Sequence, residues 1–234
     1  MSDFDNPAPV AGAMETLQKW ELQTWELTRP ISDHAITFLP LGGVLIDIGA
    51  NVGVFTEQVL EKWSGQTFLF EPVPLYANRC REKFHGNANV RVENFALSDV
   101  AGQFTLWLGA QNLGWNTFIS PMTTKEMIPV DVETIVFDQY AELNGIQRID
   151  VIKIDVEGAE YKVLNGMRKT LATIENKPII LCEVAWGPKL HPNWAEEVEA
   201  FEWLFENGYE RIDYNVSATT DVIFRPIRKK GRRL

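Results

Sequence analysis

Residues 44–53, with the sequence VLIDIGANVG, join a short, mostly apolar run to a glycine-containing turn. Such a run, followed by a turn and then by an amphipathic segment, is typical of a buried strand that leads into a helix. Gly49 and Gly53 permit backbone conformations and close approaches that a Cβ atom would obstruct. The segment therefore predicts the first strand–loop–helix unit of an α/β fold, with a ligand-binding loop at the carboxyl end of the strand.

The same rhythm continues along the chain, because short apolar runs alternate with longer amphipathic ones. This pattern predicts a doubly wound, mostly parallel sheet, whose strands are apolar throughout because helices cover both faces. Strands are predicted at Val44–Ile48, Thr67–Phe70, Val90–Asn94, Asp150–Ile154 and Ile179–Glu183. Helices are predicted at Val54–Trp63, Leu75–Phe84, Ala159–Thr170 and Ala195–Asn207.

Two further β features are expected outside this regular pattern. Alternating segments at Gln103–Leu108 and Pro129–Val132 predict a β insertion after the third strand, in a region where no helix of normal length fits. Near the end of the chain, Tyr209–Tyr214 and Asp221–Arg225 predict a hairpin that adds one antiparallel strand to the sheet.

An N-terminal helical lid is expected before the first strand. Apolar residues have helical spacing over Met14–Thr28, and Pro30 is predicted to end that helix. Asp33 is predicted to cap a second short helix, Ala35–Leu39.

The predicted domain organisation is a flexible leader at 1–13, a single domain at 14–225 and a basic tail at 226–234. Within the domain, residues 14–40 form the lid and residues 44–225 form the Rossmann-like core. No apolar run approaches the roughly 20 residues that span a bilayer, and the leader lacks the features of a secretory signal. We therefore expect a cytoplasmic protein that does not bind membranes.

The charge distribution bears on the choice of substrate. The formal net charge is −10, yet six of the 22 basic residues lie within the last ten positions. The preceding part of the chain is therefore strongly acidic and should repel polyanions, which disfavours nucleic acid as the main substrate. The basic tail could dock on a phosphate-rich partner, or it could be an ordinary solvated terminus.

The turn chemistry favours a nucleoside cofactor that carries a positive charge. Asp47 precedes the turn, where it suits an α-ammonium group and opposes a phosphate. The spacing D-x-G-x-N-x-G, with Asn51 inside the loop, also differs from the dinucleotide fingerprint G-x-G-x-x-G, so NAD fits poorly. Glu71 ends the second strand, where its carboxylate can accept hydrogen bonds from ribose hydroxyls.

Adenine binding is predicted at the end of the third strand. Ala96, Leu97 and Ser98 lie there, although turn formation alone would also explain Ser98.

Acidic residues cluster after the fourth and fifth predicted strands. Residues 153–160 read KIDVEGAE and include Asp155 and Glu157, whereas Glu183 ends the next strand. Helix capping explains one such acid, but not all of them. His191 follows in a loop that also contains Trp186.

Four segments together resemble the FkbM-type methyltransferases, which are class I, Rossmann-like enzymes that use S-adenosylmethionine and often O-methylate sugars or natural products. They are residues 47–53, the Phe70-Glu71-Pro72 step, residues 96–99 and the acidic block at 153–160. The resemblance implies that Asp47, Gly49, Asn51 and Gly53 hold the methionine part of the cofactor and that Glu71 holds its ribose. It also implies that Asp155, Glu157 and Glu183 face the transferred methyl group.

O-methylation needs a base, and we expect either Asp155 or His191 to serve. An alternative is a divalent cation such as Mg²⁺, held by Asp155, Glu157 and Glu183. Trp115, Asn116 and Trp186 are candidate walls of the site for a hydroxylated small-molecule or sugar acceptor. Two rival functions are methylation of nitrogen or of nucleic acid, and a non-catalytic scaffold that binds the cofactor. The identity of the acceptor and the oligomeric state do not follow from the sequence.

Overall fold

The computed structural model describes residues 13–109, 116–118, 127–184, 188–213 and 221–227. The helices are α1 Ala13–Ile36, α2 Val54–Leu60, α3 Pro74–Lys83, α4 Phe137–Leu143, α5 Glu160–Gly166, α6 Arg168–Thr173 and α7 Trp194–Glu206. The strands are β1 Val44–Ile48, β2 Gln66–Phe70, β3 Val90–Glu93, β4 Ala96–Leu97, β5 Gly102–Gly109, β6 Asn116–Thr117, β7 Met127–Ile135, β8 Val151–Ile154, β9 Ile179–Glu183, β10 Tyr209–Asp213 and β11 Asp221–Pro226.

The central sheet has seven strands in the order β10-β11-β9-β8-β1-β2-β3. Its pairs are parallel from β9 to β3, whereas β11 runs antiparallel to both of its neighbours. The predicted mostly parallel sheet with one antiparallel strand is therefore confirmed. The order places β1 in the interior of the sheet, between β2 and β8.

Both faces of this sheet are buried because successive strand residues pack into different cores. In β1, Leu45 packs with α1 and α2, whereas its neighbour Ile46 packs with the core beneath α4 to α7. Val151 and Ile152 divide in the same way in β8. This alternation explains why the strands are apolar at consecutive positions, as expected for a doubly wound fold.

The N-terminal segment differs from its prediction, because one helix, α1, runs through Pro30. A proline inside a helix removes one backbone hydrogen bond and costs about 3 kcal/mol, so tertiary contacts must compensate. Ile31 and Ala35, just beyond Pro30, are buried against α2 and the sheet. Asp33 pairs with Lys62 at 2.7 Å and does not start a second helix.

The helices that follow β7 and β8 also differ from their predictions. Helix α4 was not predicted, and the single helix expected over Ala159–Thr170 is divided into α5 and α6 at Met167. The division follows Gly166, where a Cβ atom would lie 2.2 Å from the carbonyl oxygen of Ser98. The backbone at Gly166 therefore lies so close to the backbone of Ser98 that no side chain fits between them.

The predicted β insertion is confirmed and forms a second sheet of its own. Its strands have the order β4-β7-β5-β6, and β5 pairs antiparallel with β7 over eight residue pairs. Residues Leu106 and Val132 of this sheet are buried with Leu17 of α1. The insertion and α1 therefore pack together beside the central sheet.

None of the helices in the described ranges is both long and apolar enough to cross a membrane.

The close contact at Gly166 supports a test of the fold. Helix propensity alone predicts that alanine stabilises a helical glycine position, by about 1 kcal/mol. We expect the opposite for Gly166→Ala, a loss of roughly 1–3 kcal/mol, because the added methyl group meets the backbone of Ser98. Thermal unfolding measures the change, with Glu199→Ala on the exposed side of α7 as the control; a higher melting temperature for Gly166→Ala would refute the contact.

Candidate active site

A cavity of about 590 Å³ lies at the carboxyl ends of the central strands. The loop after β1, the end of β2, the residues after β8 and the end of β9 all contribute to its wall. This is the position at which open α/β sheets bind ligands. Helix α1 covers one side of the cavity, and β5 and β6 of the insertion supply another part of the wall.

The loop after β1 is held close to both neighbouring strands. The backbone N–H groups of Gly49 and Ala50 both donate to the carbonyl oxygen of Phe70, at 3.0 and 3.2 Å. Gly49 has a positive φ of 76°, and a Cβ atom there would lie 1.8 Å from the carbonyl oxygen of Asp155. Only glycine satisfies both conditions, so the loop meets the end of β8 backbone to backbone.

Asn51 lies in this loop and lines the cavity, whereas Gly53 does not reach it. The N–H of Gly53 donates to the carbonyl of Ala50 at 2.8 Å, which closes the turn into α2. A Cβ atom on Gly53 would lie 2.9 Å from the ring of Phe84. Gly53 therefore shapes the turn and permits the packing of α3, without contributing to the cavity wall.

Glu71 is a carboxylate of the cavity wall that two backbone N–H groups hold in place. It is buried, and its Oε2 accepts the N–H of Asn51 at 2.8 Å while its Oε1 accepts the N–H of Val73 at 2.8 Å. Burial raises the pKa of Glu71 to about 7, although both backbone N–H groups oppose the shift. The two bonds fix the carboxylate in one orientation, with a second lone pair of each oxygen available to a hydroxyl donor.

Asp47 is fully buried beneath the loop and does not line the cavity. Its Oδ2 accepts the hydroxyl of Thr56 at 2.6 Å, and its Oδ1 lies 3.9 Å from the Nζ of Lys153. Burial raises the pKa of Asp47, and Lys153 and Thr56 oppose this shift. The structure thus places this predicted cofactor ligand next to Lys153 and behind the cavity surface.

Lys153 organises the acidic side of the cavity. Its ammonium donates to Oδ2 of Asp155 at 2.8 Å and lies 5.6 Å from the ring centroid of Phe55. Burial disfavours the charged form of Lys153, but Asp155, Asp47 and Glu183 outweigh this effect and raise its pKa. The lysine therefore stays charged and neutralises part of the surrounding carboxylate charge.

The predicted acidic residues Asp155, Glu157 and Glu183 all line the cavity, and Asp221 of β11 joins them. The neighbouring charge of Asp155, together with burial and Glu157, raises the pKa of Glu183 to about 9. This shift favours the protonated form of Glu183, whereas Asp155 is paired with the Lys153 ammonium. The same rim thus offers a hydrogen-bond donor and a carboxylate acceptor.

His191 does not reach the cavity. It is buried, its Nδ1 accepts the N–H of Asn193 at 3.0 Å, and its Nε2 lies 2.9 Å from the carbonyl oxygen of Gly158. Because Nδ1 accepts, the ring proton is on Nε2 and donates to Gly158. Both ring nitrogens are therefore occupied in the neutral ring, and the structure brings His191 to no reacting group in the cavity.

The potential metal ligands are arranged differently from the prediction. Within the described ranges, the group of three ligand-type side chains that come within 4.8 Å of one another consists of Glu160, His191 and Glu197. Asp155, Glu157 and Glu183 share the cavity wall but do not form such a group.

Only some of the residues predicted to contact the adenine or the acceptor line the cavity. Ala96 and Leu97 line the cavity, whereas Ser98 is buried elsewhere and its hydroxyl donates to Asp99. Asn116 lines the cavity, and Trp115 and Trp186 lie outside the described residues. Sequence reasoning did not identify the following cavity residues: Trp20, Thr24, Leu27, Leu106, Phe118 and Asp221.

The buried acids Glu160 and Glu197 predict how stability depends on pH. Burial raises the pKa of Glu160 to about 8, helped by Glu197, and raises that of Glu197 to about 7. The folded protein therefore keeps protons that the unfolded chain has already released, so stability falls as the pH rises from about 5 to about 8.

We expect Glu197→Gln to flatten this decline, because the amide can still accept the N–H of Tyr161 but does not ionise. Melting temperatures across this pH range measure the slope. Glu199→Gln, at an exposed position of the same helix, should leave the wild-type slope unchanged. Parallel curves for wild type and Glu197→Gln would contradict the assignment of a buried titrating carboxyl at this position.

Comparison with known proteins places this site in a family context. A family model described as the methyltransferase FkbM domain matches residues 47–211. The chain is 31% identical over 142 residues to the 2-O-methyltransferase NoeI of Sinorhizobium fredii, covering 55% of this chain and 58% of that protein. It is 28% identical over 147 residues to the hexuronic acid methyltransferase AglP of Haloferax volcanii, covering 62% of this chain and 58% of that protein. The chain thus spans less than two thirds of the length of these relatives.

Among solved structures, the fold is similar to that of an S-adenosyl-L-methionine-dependent methyltransferase from Methanococcus maripaludis. The TM-score is 0.51 at 13% identity, and the alignment covers 98% of this chain and 99% of that one. This likeness supports the class I, Rossmann-like fold. Since the family model covers most of the chain, including the loop after β1, Glu71 and the region of Asp155 to Glu183, the protein belongs to the FkbM methyltransferase family.

Proposed function

We propose that this protein transfers a methyl group from S-adenosylmethionine to a hydroxyl of a sugar or another small molecule, within one domain over residues 14–225. The observation that carries the proposal is the cavity itself, which unites the glycine loop, the fixed carboxylate of Glu71 and the acidic rim. Its volume of about 590 Å³ lies within the range of small-molecule sites. The relatives' names, a 2-O-methyltransferase and a hexuronic acid methyltransferase, support oxygen and a sugar as acceptor.

The residues present fit S-adenosylmethionine. Glu71 is oriented to accept ribose hydroxyls, while Ala96 and Leu97 supply a small apolar surface for an adenine ring. Gly49, Ala50 and Asn51 would line the path of the methionine part, with Asp47 and Gly53 supporting the loop from behind. Asp155, Glu157 and Glu183 would face the reacting centre, where negative charge favours a cationic sulfonium.

S-adenosylmethionine supplies a methyl group on a positively charged sulfur, which leaves as a neutral thioether. The protein must hold the acceptor hydroxyl in line with that methyl group, and such alignment can lower a barrier by roughly 7–11 kcal/mol. Asp155 is our candidate base, because it lines the cavity as a carboxylate held by Lys153. The charge of Asp155 and burial raise the pKa of Glu183, so that its protonated form would donate a hydrogen bond to the acceptor and help to orient it.

The acceptor itself would pack between α1 and the insertion. Trp20 and Phe118 supply apolar faces, and the amide of Asn116 can recognise a hydroxyl. We retain Trp115 and Trp186 as proposed parts of the same wall. A divalent cation at Asp155, Glu157 and Glu183 is the alternative means of activating the hydroxyl, and it predicts that excess EDTA abolishes turnover.

Calorimetric titration with S-adenosylmethionine tests the cofactor. We expect micromolar-range binding that Glu71→Ala weakens at least tenfold, since charge-assisted hydrogen bonds contribute roughly 1.5–3 kcal/mol each. Glu199→Ala, exposed on α7, serves as the control for loss of one glutamate, and NAD serves as the control ligand. Failure of wild type to bind S-adenosylmethionine or S-adenosylhomocysteine would overturn the proposed function.

Methyl transfer to neutral methyl glycosides and to hexuronic acids tests the acceptor class and the base. Asp155→Asn should lower turnover by about 10²-fold or more, the usual contribution of a general base, while S-adenosylmethionine still binds. His191→Ala should retain more activity than Asp155→Asn, because His191 lies outside the cavity. Full turnover by Asp155→Asn would remove Asp155 as the base.

A further inference from the structure

The turn between β8 and α5 is held in an unusual backbone conformation. Glu157 and Gly158 both have positive φ angles, of 53° and 94°. For a residue with a Cβ atom this left-handed conformation costs roughly 1–2 kcal/mol, so other contacts must maintain it. The conformation matters for the site because Glu157 lines the cavity from this turn.

Side chains from three other parts of the chain hold the backbone groups of this turn. Glu160 Oε1 accepts the N–H groups of Gly158 and Val156, at 3.1 and 3.4 Å. The hydroxyl of Thr117, in the insertion, donates to the carbonyl oxygen of Glu157 at 2.7 Å. His191 Nε2 lies 2.9 Å from the carbonyl oxygen of Gly158 and donates its proton to it.

Glu160 and His191, two of the side chains that bind the turn, are themselves held in place. Glu160 is 1% exposed and His191 is 5% exposed, so water does not compete for these bonds. His191 also accepts the N–H of Asn193, which sets the plane of its ring. Glu197, fully buried, accepts the N–H of Tyr161 at 3.1 Å and lies 3.9 Å from His191 Nε2.

The arrangement suits a positioning role better than a metal site. Glu160, His191 and Glu197 are ligand-type residues within 4.8 Å of one another. However, Nδ1 of His191 already accepts a backbone N–H, so Nε2 keeps its proton and has no lone pair for a metal ion. Glu160 and His191 bind backbone groups of the turn, and these bonds hold the backbone from which the Glu157 side chain extends.

We propose that Glu160 and His191 are positioning residues that hold Glu157 towards the sulfonium, so that the site prefers S-adenosylmethionine to the neutral product S-adenosylhomocysteine. The inference rests on the proposed function, because it requires that cofactor in the cavity. Glu157 shares the cavity wall with Asp155, which pairs with Lys153, and with Glu183 and Asp221. Because the turn sets the direction in which Glu157 leaves the backbone, its conformation would affect the negative charge that the sulfonium meets.

The test is the ratio of the dissociation constants of S-adenosylhomocysteine and S-adenosylmethionine, measured by calorimetry. Loss of fold or of general affinity changes both constants together, whereas loss of a correctly placed charge changes their ratio. We expect Glu157→Gln and His191→Ala each to lower the ratio by about 3–10-fold, the effect of one partly screened charge a few ångströms away. His85→Ala, at an exposed position, should leave it unchanged.

Two further variants separate positioning from a general structural effect. His191→Gln keeps an N–H donor near the Nε2 position and should restore most of the ratio. The double variant Glu157→Gln/His191→Ala should lower the ratio no further than Glu157→Gln alone, because His191 acts through Glu157. In Glu160→Ala, amide hydrogen exchange at Val156 and Gly158 should be faster than in wild type, since their N–H groups lose an acceptor.

The outcomes distinguish this inference from the proposed function. Absence of binding by wild type to either sulfur compound would overturn the proposed function and the inference together. Binding by wild type with the same ratio in His191→Ala would overturn the inference alone. Additive losses would also overturn the inference: the double variant would then show the sum of the losses seen in His191→Ala and in Glu157→Gln. Binding of Zn²⁺ at His191 in the wild type would overturn it as well.

Discussion

The site depends on the contact between the loop after β1 and the end of β8, at Gly49. With no side chain at that position, the loop meets the backbone of Asp155, and its N–H groups are available to the carbonyl of Phe70. Three neighbouring strands are thereby brought together at their carboxyl ends. The loop after β1 contacts the backbones of Phe70 and Asp155 directly, so that Glu71 and Asp155 border the same cavity as the loop. Any side chain at Gly49 would separate these strand ends.

Electrostatics imposes a second constraint, because many carboxyl groups are buried around that contact. Lys153 compensates Asp155 directly and Asp47 at a longer distance. Burial and neighbouring charge raise the pKa values of Glu183 and Glu160, which favours their neutral forms. Pairing with Lys153 and raised pKa values both limit the free-energy cost of burying these carboxyl groups.

Helix α1 connects the stability of the fold with the shape of the site. Its first half packs through Leu17 on the insertion, and its second half packs through Ile31 and Ala35 on α2 and the sheet. Packing at both anchors compensates for the helix-breaking effect of Pro30, and the residues between the anchors cover the cavity. Bidentate pairing of Glu21 with Arg79, at 2.7 and 2.9 Å, adds a further link between α1 and α3.

The sequence by itself determined the strand–loop–helix order, the parallel sheet with one antiparallel strand and the β insertion. These features depend on local periodicity and on turn residues, which act over a few positions and are therefore visible in one chain. It also indicated Glu71, Asp155, Glu157 and Glu183, because they lie at or just after the ends of buried strands, and parallel strands end at one edge.

Only the tertiary structure decided which of the indicated residues reach the cavity. Asp47, Ser98 and His191 have suitable chemistry but are buried in other contacts, and no local pattern distinguishes these from a ligand contact. The path of α1 through Pro30 was likewise decided by packing, since the local cost of a proline is offset by residues distant in the sequence. The periodicity of apolar residues indicates which face of a helix or strand is buried. Which element packs on that face depends on contacts between segments far apart in the chain.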